Sequence, residues 1–283
     1  MASIAITEKR IRQYALALAD EEKASSTIEK YVRDIRAFGA HLGGRPITKQ
    51  AAVEWKALLR ESHAAASVNS MLAAVNGFCA HFGAGVEVKP YRLQRETFLP
   101  ERKCLTAEEY ERLLEAARSA GDERLFYIME TLCATGIRVG ELEHITVAAA
   151  RAGAAAITSK GKTRTVFLPE SLRRALLGYA GRRGISSGRI FVTRSGRAVS
   201  RSSIWSGMKR LCESAGVDAA KAFPHNLRGL FSRTFYSASQ DMAKLADMLG
   251  HSSMDTTRIY VRESEAKHRH IVEKLELSRM KYI

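Results

Sequence analysis

The chain has 283 residues, 46% hydrophobic and 27% charged, which suits one large or two medium globular domains and excludes a disordered chain. Lys and Arg outnumber Asp and Glu by 45 to 30, a net charge of +15 that points to a polyanionic partner such as nucleic acid. No apolar run approaches the ~20 residues of a membrane span, the opening MASIAITEKR lacks the apolar stretch of a secretory signal, and Cys79, Cys104, Cys133 and Cys212 are scattered without a CxxC pair, so a reduced, cytoplasmic, nucleoid-associated protein without a metal centre is expected.

Residues 7–83 read as four helices. The first, over 7–22, carries Ile11, Tyr14, Ala15 and Leu18 on one face. Ser26 and Glu29 form a capping-box pattern ahead of a second, with Ile28, Tyr31, Val32, Ile35 and Phe38 at helical spacing. Thr48 is placed to cap a third, burying Val53, Leu58 and Trp55. Ser67 is placed to cap a fourth, with Val68, Met71, Leu72, Val75, Phe78 and Phe82 in one stripe. On the polar side of the second helix, Lys30, Arg33 and Arg36 recur every third residue; the run suits DNA phosphates as well as a solvated face among acids. Residues 84–103 break the periodicity and read as linker sequence. The domain expectation is 1–97 helical and core-DNA-binding, 98–105 linker, and 106–283 catalytic. Beyond residue 97 the basic excess is 31 against 20, most of the total.

Thr106 and Glu109 form a second capping box, opening helices over 106–119 and 122–134. Gly136 ends the latter, and IRVGELEHI continues as a short helix bearing Arg138 and Glu141. Residues 153–168 read as a hairpin turning at Ser159-Lys160-Gly161-Lys162. Helices are expected over 170–182, 200–215, 225–238, 240–249, 253–262 and 265–280, with a short strand at 190–193. The fold class is mainly α, with one small antiparallel sheet.

Two stretches carry chemistry. PHNLR places His225 three residues before Arg228, and LGHSSMDTTRIY places His251 nine before Tyr260. Arginine offers a planar fork that matches two phosphate oxygens, histidine moves protons near neutral pH, and a phenol beside cations can act as a covalent nucleophile. Singly, each has a plain structural reading: Arg138 a surface ion pair, His225 a helix-start residue, His251 a turn residue, Tyr260 core.

Together, ATGIRVGEL, the SKGK hairpin, PHNLRG, LGHSSMDTTRIY and a basic helical N-terminal region resemble the tyrosine recombinases, or phage integrase family, over nearly the whole chain and closest to the two-domain, Xer-like members. The resemblance implies a SAM-like N-terminal domain and the tyrosine-recombinase catalytic fold. It implies Arg138 and Arg228 as the phosphate arginines, Lys160 as general acid, His225 and His251 as phosphate and proton-transfer histidines, Tyr260 as nucleophile and Glu141 as a supporting acid. From the residues alone, Lys162 competes with Lys160 for the turn, and it joins Lys30, Arg33 and Arg36 as a candidate DNA contact. One departure is Gly229, where many members place histidine after the second arginine. The implied reaction is site-specific DNA cleavage and rejoining through a 3′-phosphotyrosyl ester, needing no metal, ATP or other cofactor. It runs on double-stranded DNA, in a homo-tetramer on two sites with the C-terminal helix exchanged between protomers. The rival readings are a type IB topoisomerase, which would act on any DNA, a DNA-binding protein without chemistry, and a phosphatase or nuclease, which would release its product.

Overall fold

A computed structural model describes residues 4–94, 101–159, 162–251, 253–261, 269 and 272–274. The chain divides into two compact units, 1–95 and 96–283.

The first unit holds α1 (Glu8–Asp20), α2 (Ser25–Leu42), α3 (Lys49–Ser62) and α4 (Ala65–His81) around one core. Thr7 and Thr48 accept N–H bonds at the starts of α1 and α3, as their residue types favour. Two expected caps are not made. Helix α2 begins after Ala24 with no side-chain cap, so the Ser26–Glu29 box is absent, and α4 begins after Ala64, ahead of Ser67. In the second case the alanines before Ser67 are themselves strong helix formers and carry the first turn upstream. The buried face of α3 is Ala51, Ala52, Trp55 and Leu59, with Val53 and Leu58 exposed. The bulk of Trp55 centres the stripe; Val53 falls on the far side of the helix and Leu58 at the stripe's edge.

Part of the stretch that reads as linker is docked on α4. Asn76 donates to Val88 O at 2.9 Å and accepts from Val88 N at 3.0 Å, and Asn69 pairs in the same way with Tyr91 at 2.8 and 2.7 Å. Seven helical residues and three extended ones each span ~10 Å, so the two amides meet the extended backbone in register. Lys56 adds a 2.7 Å bond to Lys89 O. Asn76→Ala strands both backbone groups of the buried Val88 and is expected to cost about 1–3 kcal/mol. Limited proteolysis checks this: new cleavage within 84–94 is expected, and an unchanged digest contradicts the docking.

The second unit comprises α5 (Ala107–Ser119), α6 (Glu123–Thr135), a 3-10 turn at Val139–His144, α7 (Val147–Ala152), the antiparallel pair β1 (Ala154–Ser159) and β2 (Lys162–Phe167), α8 (Glu170–Arg182), α9 (Arg201–Ala215), α10 (Pro224–Ser239), α11 (Met242–Leu249) and α12 (Met254–Val261). The Thr106–Glu109 capping box is made from both sides. The hairpin register runs Ala154 against Phe167 to Ser159 against Lys162. The strand expected at 190–193 is reduced to isolated bridges, Thr146 with Arg189 and Val192 with Ala198, because no continuous edge lies beside it. The main core includes Leu113, Ile128, Met129, Leu132, Leu176, Ile204, Met208 and Leu227. A smaller cluster of Leu245, Leu249 and Tyr260, flanked by Phe231, Phe235 and Tyr236, joins α10, α11 and α12. Of the C-terminal helix expected over 265–280, only residues 269 and 272–274 are described, and they are helical.

Candidate active site

Five segments of the second unit meet at one place. Gly136 adopts φ 64° to end α6; a β-carbon there would collide with the Phe231 ring at 2.3 Å, so the sharp reversal that delivers Arg138 requires glycine. Arg138 caps the 3-10 turn, its backbone N–H donating to Glu141 Oε2 at 2.7 Å and its Nη1 to Oε1 at 3.0 Å. The Arg138 side chain remains 44% exposed while Glu141 is 10% exposed, so the arginine keeps a solvent-facing edge for an anion.

Pro224 presets the first turn of α10. His225 follows it, and Arg228 lies one turn further, facing inward and only 1% exposed. The Arg228 guanidinium donates to the Gly136 carbonyl, to Leu249 O at 2.8 Å and to His251 Nε2 at 2.9 Å. It therefore closes the carbonyl ends of α6 and α11, where helix dipoles favour a cation. Burial and the neighbouring Arg138 push its pKa down to about 10, against Tyr260 and Glu141, so it stays charged at neutral pH. Its buried Nε has no partner among the described residues.

Gly250, at φ 65°, turns the chain out of α11 and presents His251. Arginine has no acceptor, so the contact with Arg228 fixes His251 Nε2 as unprotonated, and Nδ1–H donates to the buried Thr257 Oγ1 at 2.8 Å. Burial and then Arg228, Arg138, Arg164 and His225 drive the His251 pKa down to about 4; burial, Arg228 and Arg138 also lower His225.

The Tyr260 ring stacks on that of His251, with centroids 5.6 Å apart and planes at 13°, and its Oη lies 3.1 Å from His225 Nε2. The residue as a whole is 9% exposed. Gly229, the departure from the family pattern, faces this ring: a β-carbon there would stand 3.9 Å from Tyr260 Cδ1 and 3.2 Å from Arg233 Nη1.

Arg138, Glu141, His225, Arg228, His251 and Tyr260 are thus assembled in one chain. Lys160 lies outside the described residues, as does the side chain of Lys162. Lys30, Arg33 and Arg36 belong to the first unit, and each meets an acid. Lys30 bonds the buried Asp34 at 2.5 Å, Arg33 the same residue at 3.4 Å, and Arg36 forks onto Glu8 at 2.9 and 2.8 Å. Two participants escape a motif reading. Thr257 was legible as the residue one helical turn before Tyr260, on the same face; Arg164 carries no local signal and is found by its tertiary contacts. Among the described residues no group of three or more His, Cys, Asp or Glu is placed to hold a metal ion.

A stability consequence follows from the histidines. Their folded pKa values lie below the ordinary 6.5, so the unfolded chain binds protons more readily, and stability present above pH 6.5 is lost as pH falls toward about 4. Melting temperature should drop across that window, and less so in a His225→Gln, His251→Gln double variant; parallel pH curves for the two proteins would contradict it.

Residues 103–267 match the phage integrase family, and residues 11–82 match its N-terminal SAM-like domain. Tyrosine recombinase XerD of Xanthomonas axonopodis pv. citri is 31% identical over 270 residues, covering 86% of this chain and 88% of the relative. Tyrosine recombinase XerC of Erythrobacter litoralis is 29% identical over 268 residues, covering 89% and 87%. Among solved structures, a lambda integrase dimer bound to a COC′ core site superposes with a TM-score of 0.73 over 99% of this chain and 81% of that one, at 17% identity. XerA recombinase gives 0.54 over 98% and 100%, at 25% identity.

Proposed function

This chain belongs to the phage integrase family, and we propose that it is a site-specific tyrosine recombinase that joins Tyr260 to the 3′-phosphate of a DNA strand and later reverses the step. The observation that carries the reading is the Tyr260 hydroxyl, 3.1 Å from His225 Nε2 and stacked with His251 beside Arg228. These groups come from the start of α10, the turn after α11 and α12, and an ordinary core tyrosine needs none of them.

The chemistry follows from the groups. His225, held neutral by burial, offers its Nε2 lone pair to the phenol proton as Oη attacks phosphorus. Arg138 and Arg228 hold the two non-bridging oxygens as negative charge gathers on them. Because Arg228 is 1% exposed, the phosphate reaches it only once the phenol has shifted aside. His251, whose Nε2 lone pair is taken by Arg228, donates to the phosphate after gaining a proton, which the phosphate's charge favours. Lys160, at the hairpin turn, protonates the departing 5′-oxygen; Lys162 is the other candidate. The P–O bond to the 5′-oxygen breaks as the P–Oη bond forms, so the ester keeps the energy needed for rejoining.

The partner is double-stranded DNA, which accounts for the net charge of +15. The first unit is its core-binding domain, where Lys30, Arg33 and Arg36 exchange their acids for phosphates. One structural neighbour is described as a lambda integrase tetramer bound to a Holliday junction. That supports a tetramer of this chain on two sites, its segment 265–283 exchanged between protomers, at work in the cytoplasm on the nucleoid.

The test is covalent capture. Short duplexes with a randomised centre and a nick that releases the cleaved fragment are incubated with the chain. Sequences that remain attached after denaturation, and converge on one motif, are the expected result. Attachment to every sequence alike would indicate a topoisomerase, and no attachment would remove the reading.

A further inference from the structure

We propose that Arg164 is a positioning residue that couples the hairpin to both the Arg138 turn and the His251 turn, within the recombinase reading above. It touches no reacting atom. Its Nη1 and Nη2 donate to Glu141 Oε1 and Oε2 at 3.1 and 2.7 Å, the same two oxygens that hold the Arg138 side chain and backbone. Glu141 is thereby a plate clamped between two arginines. The Nε of Arg164 turns the other way and donates to Met248 O at 3.2 Å, at the end of α11. A β-carbon at Gly250 would stand 2.8 Å from Arg164 Cδ, so the turn that launches His251 rests directly on this side chain.

Each contact has a chemical reason to be arginine. Only a planar fork spans both carboxylate oxygens while a third N–H points elsewhere, and an ammonium cannot do so. The anchor is rigid: Arg164 pairs across the sheet with the buried Ile157 and is itself 12% exposed. Lys160 lies only four residues upstream. A displacement of β2 is therefore transmitted to Arg138 through Glu141, and to His251 through Met248 O and Gly250. Arg228 bonds the adjacent Leu249 O, so the end of α11 is held by two arginines from different elements. Strand β2, the Arg138 turn and the His251 turn keep one geometry because Arg164 joins all three.

The test compares Arg164→Lys and Arg164→Gln with the wild-type full chain, on the duplexes the wild type captures. Binding of those duplexes should stay within about two-fold, while the single-turnover capture rate falls roughly 10- to 100-fold in both variants, since misplacement by a fraction of an ångström is enough. The pH profile separates positioning from a general loss of fold. The charged groups facing Glu141 are Arg138 and Arg164, and those facing His251 are Arg228, Arg138, Arg164 and His225. Burial raises the Glu141 carboxyl, but the two arginines outweigh it and hold the group ionised below the usual range. With Gln at 164 it takes a proton at higher pH, so capture should fail earlier on the acid side. Lys at 164 should restore that acid limb without restoring the rate. In the free chain, the His251 ring signal by NMR should titrate higher with Gln at 164 than in the wild type.

Wild-type capture rates and an unshifted acid limb in both variants would overturn the coupling. If Gln at 164 does not fold, the Lys variant decides by its rate. If the wild type captures no duplex, the recombinase reading fails on its own, and the His251 titration still decides whether Arg164 acts on that turn.

Discussion

Tyr260→Phe is expected to abolish covalent capture of DNA while leaving DNA binding and folding close to wild type. The phenylalanine ring keeps its seat among Leu245, Leu249, Phe231 and Phe235 and its stacking on His251. What is lost is the hydroxyl and its contact with His225 Nε2, a change of about 1 kcal/mol in stability. The proposed reaction would lose its nucleophile, so the effect on capture should be absolute rather than graded. The hydroxyl of Thr257, one helical turn away, is buried and occupied by His251. A mobility-shift titration run beside the denaturing capture assay separates the two properties. A variant that still attaches at wild-type rate would move the nucleophile elsewhere in the chain.

Arg228→Ala and Arg138→Ala should both slow cleavage by about 10²–10³, the usual loss when one charge-stabilising donor is removed, but only the first should destabilise the fold appreciably. Arg138 is 44% exposed, and when it is removed Glu141 keeps its fork to Arg164; the stability change should be within about 1 kcal/mol. Removing Arg228 strands the Gly136 and Leu249 carbonyls in a buried site and leaves a void, a loss of roughly 2–4 kcal/mol. Loss of a buried cation's desolvation cost offsets part of this, which is why the figure stays moderate. Arg228→Lys should recover little, because one ammonium cannot reach two helix ends and His251 together. Equal denaturation midpoints for the two alanine variants would show that Arg228 does not close those helix ends.

How much of this was readable beforehand depends on the range of the interaction. Caps with a side-chain acceptor three residues ahead of a free N–H were readable at Thr48 and Thr106, because the whole interaction lies within one turn. The same rule misplaced the starts of α2 and α4, whose N-cap residues, Ala24 and Ala64, offer no side-chain acceptor. The hairpin register was readable from its turn residues. The strand expected at 190–193 was not, since a strand exists only by virtue of a neighbour.

By itself the sequence determined most of the element order and the two-part division of charge, and through the family resemblance of its short motifs it nominated Arg138, His225, Arg228, His251 and Tyr260, because each motif is local. Tertiary structure alone decided that Arg228 is a buried clasp between two helix ends and that His251 rests in one tautomer. It alone decided that Lys30, Arg33 and Arg36 meet acids, and that Arg164 joins the hairpin to both turns. The reason is physical. Burial, protonation and ion pairing depend on which distant groups arrive within about 3 Å of one another, and no spacing along the chain encodes that distance.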